Sequence, residues 1–261
     1  MTVIKHLFST DAHITSTEKD IPRVFVSGSG SLRKRSIDSM SGMSAHPQEV
    51  VLPTDTPKAE DPKRERALDV YFSADVETDG PIPGPFSMLS FALVYAGTFD
   101  GESFSKPEDY AKHFYAELKP ISDHYDAEAL SINGMDRERL VREAPAAETV
   151  MRAAADWVAR VAGSGKPVLV AYPLSFDWSW LYWYFVRFSS TSPFNYSRCF
   201  DIKTAFAVKA QLPIADAGRS RLEYTLRPHK RHTHHALDDA IEQAEIFANV
   251  FQWEGKSGRV R

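Results

Sequence analysis

A single cysteine, Cys199, excludes an intramolecular disulfide framework and fits a reducing compartment. No apolar run approaches the roughly 18 residues needed to span a bilayer. The most hydrophobic stretch, Trp178 to Phe188, is short and ends in charge and serines. Met1 to Thr10 lacks the sustained apolar core of a secretory signal, so the expected location is cytoplasmic and no membrane partner is expected. Nor is there a surplus of positive charge. The formal net charge of −4 gives no global attraction to a polyanion, so any nucleic-acid contact must rest on a local basic patch.

What is present is enough apolar residue for one sizeable core and a tail: 261 residues, 43% of them hydrophobic. Residues 1 to 65 hold Ser27-Gly28-Ser29-Gly30-Ser31, the basic Arg33-Lys34-Arg35 and no lasting apolar period, which reads as a disordered segment. Met40 and Met43 leave a downstream start open. From Ala67 the pattern sharpens. Strands are expected at Val70–Ala74, Met88–Tyr95, His113–Leu118, Pro167–Ala171 and Cys199–Ile202. Helices are expected over Ala146–Ala162, from Ser175, and from about His235, where Leu237, Ala240, Ile241, Ala244, Ala248 and Phe251 form an apolar stripe. Three early strands followed by alternating helix and strand predict an α/β sheet with helices packed on it.

Three short segments carry chemistry. Asp75 and Glu77 sit two apart at the end of the first strand, so both carboxylates face one side, where they repel unless a cation lies between them. Asp177 opens an aromatic helix after a buried strand, a place where helix capping alone also accounts for it. In His234-His235-Ala236-Leu237-Asp238-Asp239-Ala240, Asp239 points away from the apolar stripe and His234 lies at the loop-to-helix junction. Arg219, Arg221, Arg227, Lys230 and Arg231 crowd the preceding segment and offer the missing basic patch. Four nearby histidines, His229, His232, His234 and His235, form a rival transition-metal reading, although their spacing lacks the rhythm of structural zinc sites.

Together these segments resemble the DEDDh exonucleases, a family that includes polymerase proofreading subunits, ribonuclease T and oligoribonuclease. The first motif resembles Asp75-Val76-Glu77-Thr78-Asp79-Gly80, the second Phe176-Asp177 with Leu181, and the third His234 through Ala240. Ala129 to Met135 and Cys199 to Ile202 resemble the segments between them. The likeness covers about residues 66 to 252, with Tyr172-Pro173 where the family often has His-Asn and Asn133 where histidine is common.

The resemblance implies an RNase H-like mixed sheet flanked by helices over residues 66–255, with a short tail at 256–261. It also implies a 3′→5′ exonuclease acting on single-stranded DNA or RNA and releasing nucleoside monophosphates. Asp75, Glu77, Asp177 and Asp239 would hold two Mg²⁺ ions, with Mn²⁺ as a substitute, and His234 would act as general base. Thr78, Met88, Leu89, Phe176, Trp178, Arg227 and Lys230 are the expected substrate contacts. A catalytically silent nucleic-acid-binding module on the same fold is the alternative.

Overall fold

The computed structural model describes residues 67–256; the N-terminal segment expected to be disordered and nearly all of the C-terminal tail lie outside them. The first strand, β1 (Asp69–Thr78), carries the apolar run Val70-Tyr71-Phe72 and is buried along most of its length. It pairs antiparallel with β2 (Met88–Phe99) and parallel with β5 (Lys166–Ala171), which in turn pairs parallel with β6 (Cys199–Asp201). The outer side of β2 carries both β3 (Phe104–Ser105) and β4 (His113–Glu117), so the sheet runs β3-β2-β1-β5-β6 with β4 also on β2. The register of β1 on β2 slips between Tyr71 and Phe72, opposite Gly97. Gly97 has φ +123, and a β-carbon there would meet the Ser105 carbonyl at 2.5 Å, so only glycine fits this bulge.

Strand alternation divides the core into two layers. Val70, Phe72, Ala74 and Val76 pack under α3 (Ala147–Ala162) and α4 (Leu174–Ser189) with Trp180, Leu181 and Tyr184. Tyr71, Ala92 and Val94 pack on the other side against α5 (Ile202–Ala210) and α6 (Ala236–Gln252) with Phe206, Ala244 and Phe247. Lys209 closes the end of α6: its ammonium donates to the carbonyls of Val250, Phe251 and Trp253 at 2.8, 2.9 and 2.6 Å. No helix among the described residues is long and apolar enough to cross a membrane.

The expected strands and the three expected helices are present, with β2 longer than anticipated and the first turn of α5 beginning at Ile202. The structure adds β3, α5 and two short helices, α1 (Ala127–Asn133) and α2 (Arg137–Glu143). Both short helices rest on caps more than on burial. Asp126 accepts from the Glu128 amide, Asp136 accepts from the Arg139 amide, and Gly134 ends α1 in the left-handed region.

Candidate active site

Asp75 and Glu77 leave β1 on the face covered by α6, the opposite side from Ala74 and Val76. Asp239 lies in the first turn of α6 and is 1% exposed. Each of these three residues offers a carboxylate oxygen to a group whose members all lie within 4.8 Å of one another. Asp177, in the first turn of α4, reaches the cluster from the other helical layer. Pairing of β1 with β5 ends at Ser73 and Val170, and beyond it the Val76 amide donates to Asp177 Oδ1 at 3.1 Å. The start of α4 is held in turn by Asp201, which accepts from the Leu174 amide at 2.6 Å while capping α5 through the Thr204 amide. Gly80 closes the β1 segment: a β-carbon there would lie 2.1 Å from the Phe86 ring.

The electrostatics follow from this crowding. Burial, then the charges of Asp177, Glu77 and Asp239, push the Asp75 carboxyl well above the usual carboxylate range, against a smaller pull from Arg219. Burial with the charges of Asp239 and Asp177 pushes Glu77 up to about 8, and burial pushes Asp177 up to about 7. Asp239 goes the other way. Burial raises it, but the His232 ring and the amides of Thr233 and His234 outweigh that and hold it below the usual range. Among the described residues, no lysine or arginine forms an ion pair with Asp75, Glu77 or Asp177. Hard oxygen donors with excess negative charge suit a divalent cation such as Mg²⁺ or Mn²⁺.

His234 is exposed, with its backbone in the left-handed region at φ +58 and its amide 2.9 Å from Asp239 Oδ2. Partial burial and the charge on His232 push its imidazole below the ordinary value, which favours the neutral form. It lines a cleft of about 350 Å³ with Glu77, Ser90, Tyr115, Asn133, Met135 and Arg139. Asn133 shapes that cleft by donating to the Thr78 carbonyl at 3.0 Å.

The other expected contacts are placed unevenly. Met88 and Leu89 are 0% exposed, so the structure corrects their expectation as substrate contacts: neither has surface to offer. Thr78 is buried, and its hydroxyl is engaged with the Gly80 carbonyl at 2.8 Å. Phe176 and Trp178 keep partly open faces, although Trp178 stacks on Tyr182 at 5.2 Å. Arg227 is exposed, with its Nε donating to the Leu222 carbonyl, and Lys230 pairs with Asp238 at 2.7 Å. The four histidines of the rival zinc reading do not converge. His232 and His234 meet Asp239, whereas His229 turns to Glu245 and His235 stacks on Tyr115.

Four residues near the site escaped sequence reasoning in these roles. His232 Nδ1 lies 2.9 Å from Asp239 and 3.2 Å from Glu242, and these contacts push it up to about 9. Arg219 approaches Glu242 at 3.5 Å and donates to the Tyr172 carbonyl at 3.1 Å. Gln243 is 1% exposed and donates to Asp75 Oδ1 at 2.8 Å. The one available signal was spacing: Gln243 lies four residues beyond Asp239, on the same face of α6. Tyr172, at the departure from His-Asn, is buried and donates its hydroxyl to the Ala217 carbonyl at 2.9 Å.

The chain matches the model of the 3′-5′ exoribonuclease Rv2179c-like domain over residues 74–251. The 3′-5′ DNA exonuclease Cap18 of Escherichia coli is 30% identical over 180 residues, 69% of this chain and 90% of that protein. Among solved structures, the nuclease domain of 3′hExo, a DEDDh family member bound to rAMP, gives a TM-score of 0.52 at 15% identity over 74% of this chain and 96% of that one. Cell-death related nuclease 4 gives 0.52 at 16% identity over 72% and 64%. At such low identity the two structures speak to fold, and the fold agrees with the motifs. The chain therefore belongs to the Rv2179c-like 3′-5′ exoribonuclease family and is built on the DEDDh exonuclease fold.

Proposed function

We propose that this protein is a metal-dependent 3′→5′ exonuclease that hydrolyses the terminal phosphodiester bond of single-stranded DNA or RNA. The observation that carries this reading is the convergence of Asp75, Glu77 and Asp239, with Asp177 beside them and Glu77 also lining a cleft together with His234. A silent binding module has no need for crowded carboxylates that repel one another. The polarity is supported by the names of the matching family and of the E. coli relative. One is called an exoribonuclease and the other a DNA exonuclease, so both sugars are candidate substrates.

In this reading Asp75, Glu77, Asp177 and Asp239 hold two divalent cations, Mg²⁺ or Mn²⁺, which when bound supply an activated water and charge stabilisation at the leaving oxygen. His234 is neutral and open to solvent, and it accepts the proton of the attacking water at an imidazole nitrogen. The water oxygen bonds to phosphorus, the 3′-oxygen of the preceding nucleotide leaves with the bonding pair and takes a proton from solvent to become a 3′-hydroxyl, and a nucleoside monophosphate is released. Phe176 and Trp178 offer partly exposed rings to the terminal bases, a contact worth about 1–3 kcal/mol per base. Arg227 and Lys230 hold phosphates of the chain behind them.

The test is incubation of the purified protein with 5′-labelled single-stranded DNA and RNA in Mg²⁺, Mn²⁺ or EDTA. A metal-dependent ladder shortening from the 3′ end is expected, with His234→Ala slowing it about 10²–10⁴-fold. Tight binding without cleavage under every metal would overturn the enzyme reading and favour the binding module.

A further inference from the structure

We infer that Gln243 is a positioning residue for Asp75 and so sets how strongly the carboxylate cluster holds a divalent cation; this rests on the metal-dependent reading above. The side-chain amide of Gln243 is buried at 1% exposure and bonded at both ends. Its Oε1 accepts from the backbone amide of Tyr172, and its Nε2 donates to Asp75 Oδ1 at 2.8 Å. The direction of the amide is not a free choice. A backbone N–H can only donate, so the oxygen of Gln243 must face Tyr172 and the nitrogen must face Asp75. One fixed point on the main chain at the end of β5 thereby orients a carboxylate on β1 through a residue of α6.

The chemistry of the donor matters as much as its place. A lysine or arginine here would neutralise Asp75 and compete with a cation. An amide occupies one lone-pair direction of Oδ1, fixes the rotation of the carboxylate and leaves its negative charge intact. Asp239 and Gln243 are four residues apart on α6, so one helix face presents a candidate ligand and the residue that aims a second one. Any shift of α6 along the sheet would disturb both together.

Two substitutions separate the parts. Gln243→Met keeps the length and apolar stem and removes both hydrogen bonds. Gln243→Glu keeps an acceptor for the Tyr172 amide but sets an oxygen against Asp75 where the N–H was. Mn²⁺ is titrated into the full chain and followed by calorimetry and by the rise in Tm, alongside activity. The wild type is expected to bind Mn²⁺, and both variants are expected to need about 10–100-fold more of it, the usual cost of losing a partner behind a metal ligand. The KM for the oligonucleotide should stay unchanged. Folded variants that bind Mn²⁺ as the wild type does would overturn the inference and leave the metal reading standing. A wild type that binds no Mn²⁺ would overturn the metal reading and the inference with it.

Discussion

Two acidic sites lie four residues apart along the end of β1 and the turn that follows. Asp79 is 0% exposed, and the protein satisfies it completely: Arg137 Nε lies 2.8 Å from Oδ2 and the Ser87 amide donates to Oδ1 at 2.5 Å. Arg137 is itself anchored on the Ser122 carbonyl. Asp75 is itself only partly exposed, yet its neighbours are Glu77, Asp177 and Asp239, and among the described residues it is a neutral amide, that of Gln243, that donates to it. The fold supplies Arg137 to one carboxylate, while no lysine or arginine among the described residues pairs with Asp75, Glu77 or Asp177, which is what the proposed cation site requires. On the proposed function, that contrast separates an acid that builds the fold from acids that serve chemistry.

The comparison breaks most visibly in activity. Asp75→Asn keeps the shape and the acceptor for Gln243 while removing one charge. Hydrolysis should fall by about 10²–10⁴-fold, the range for a lost catalytic or electrostatic group. The same variant should melt no lower than wild type in EDTA, because it replaces a carboxyl whose ionised form burial and its acidic neighbours disfavour. Loss of activity together with loss of stability would place Asp75 among the structural acids.

Asp79→Ala should give the opposite signature. It leaves the guanidinium of Arg137, 14% exposed, without its partner. Breaking a buried pair costs about 3–5 kcal/mol, and the residual exposure of Arg137 points to the lower end. A Tm depressed in EDTA, with an Mn²⁺-induced rise equal to the wild type's, is the expected result. An unchanged Tm would show that the pair contributes nothing net.

How far these two sites were legible in the sequence differs for a physical reason. Asp75 and Glu77 announce themselves because strand alternation is local: residues two apart share a face whatever else the chain does. Asp177 and Asp239 needed the order of the motifs, since capping and solvation explain each one separately. Arg137 and Gln243 act across 58 and 168 residues, and neither has a local signature. The same holds for Met88 and Leu89: the motif beside them suggests substrate contacts, but β2 is paired on both sides, which makes them core. The short helices α1 and α2 escaped a search for apolar stripes, since α1 buries no residue and α2 only Leu140. Their aspartate caps and Gly134 were visible all along.

The smallest effect sharpens the comparison in pH. Glu77 and Asp177 titrate in the fold at about 8 and about 7, far above their ordinary values of 4.5 and 3.8. A carboxyl raised in the folded state favours its protonated form there. Its contribution to stability is present below its ordinary value and is lost as pH rises through the folded one. The metal-free protein should therefore lose stability progressively between about pH 4 and pH 8, read as a falling Tm in EDTA. Saturating Mn²⁺ should flatten that fall, because a bound cation stabilises the ionised carboxylates that the fold alone disfavours. Asp177→Asn should flatten it in part without metal, having removed one of the groups that titrates. A metal-free Tm that instead climbs steadily from pH 4 to pH 8 would mean these carboxylates are stabilised as anions by the protein, and the distinction between the two acidic sites would fail.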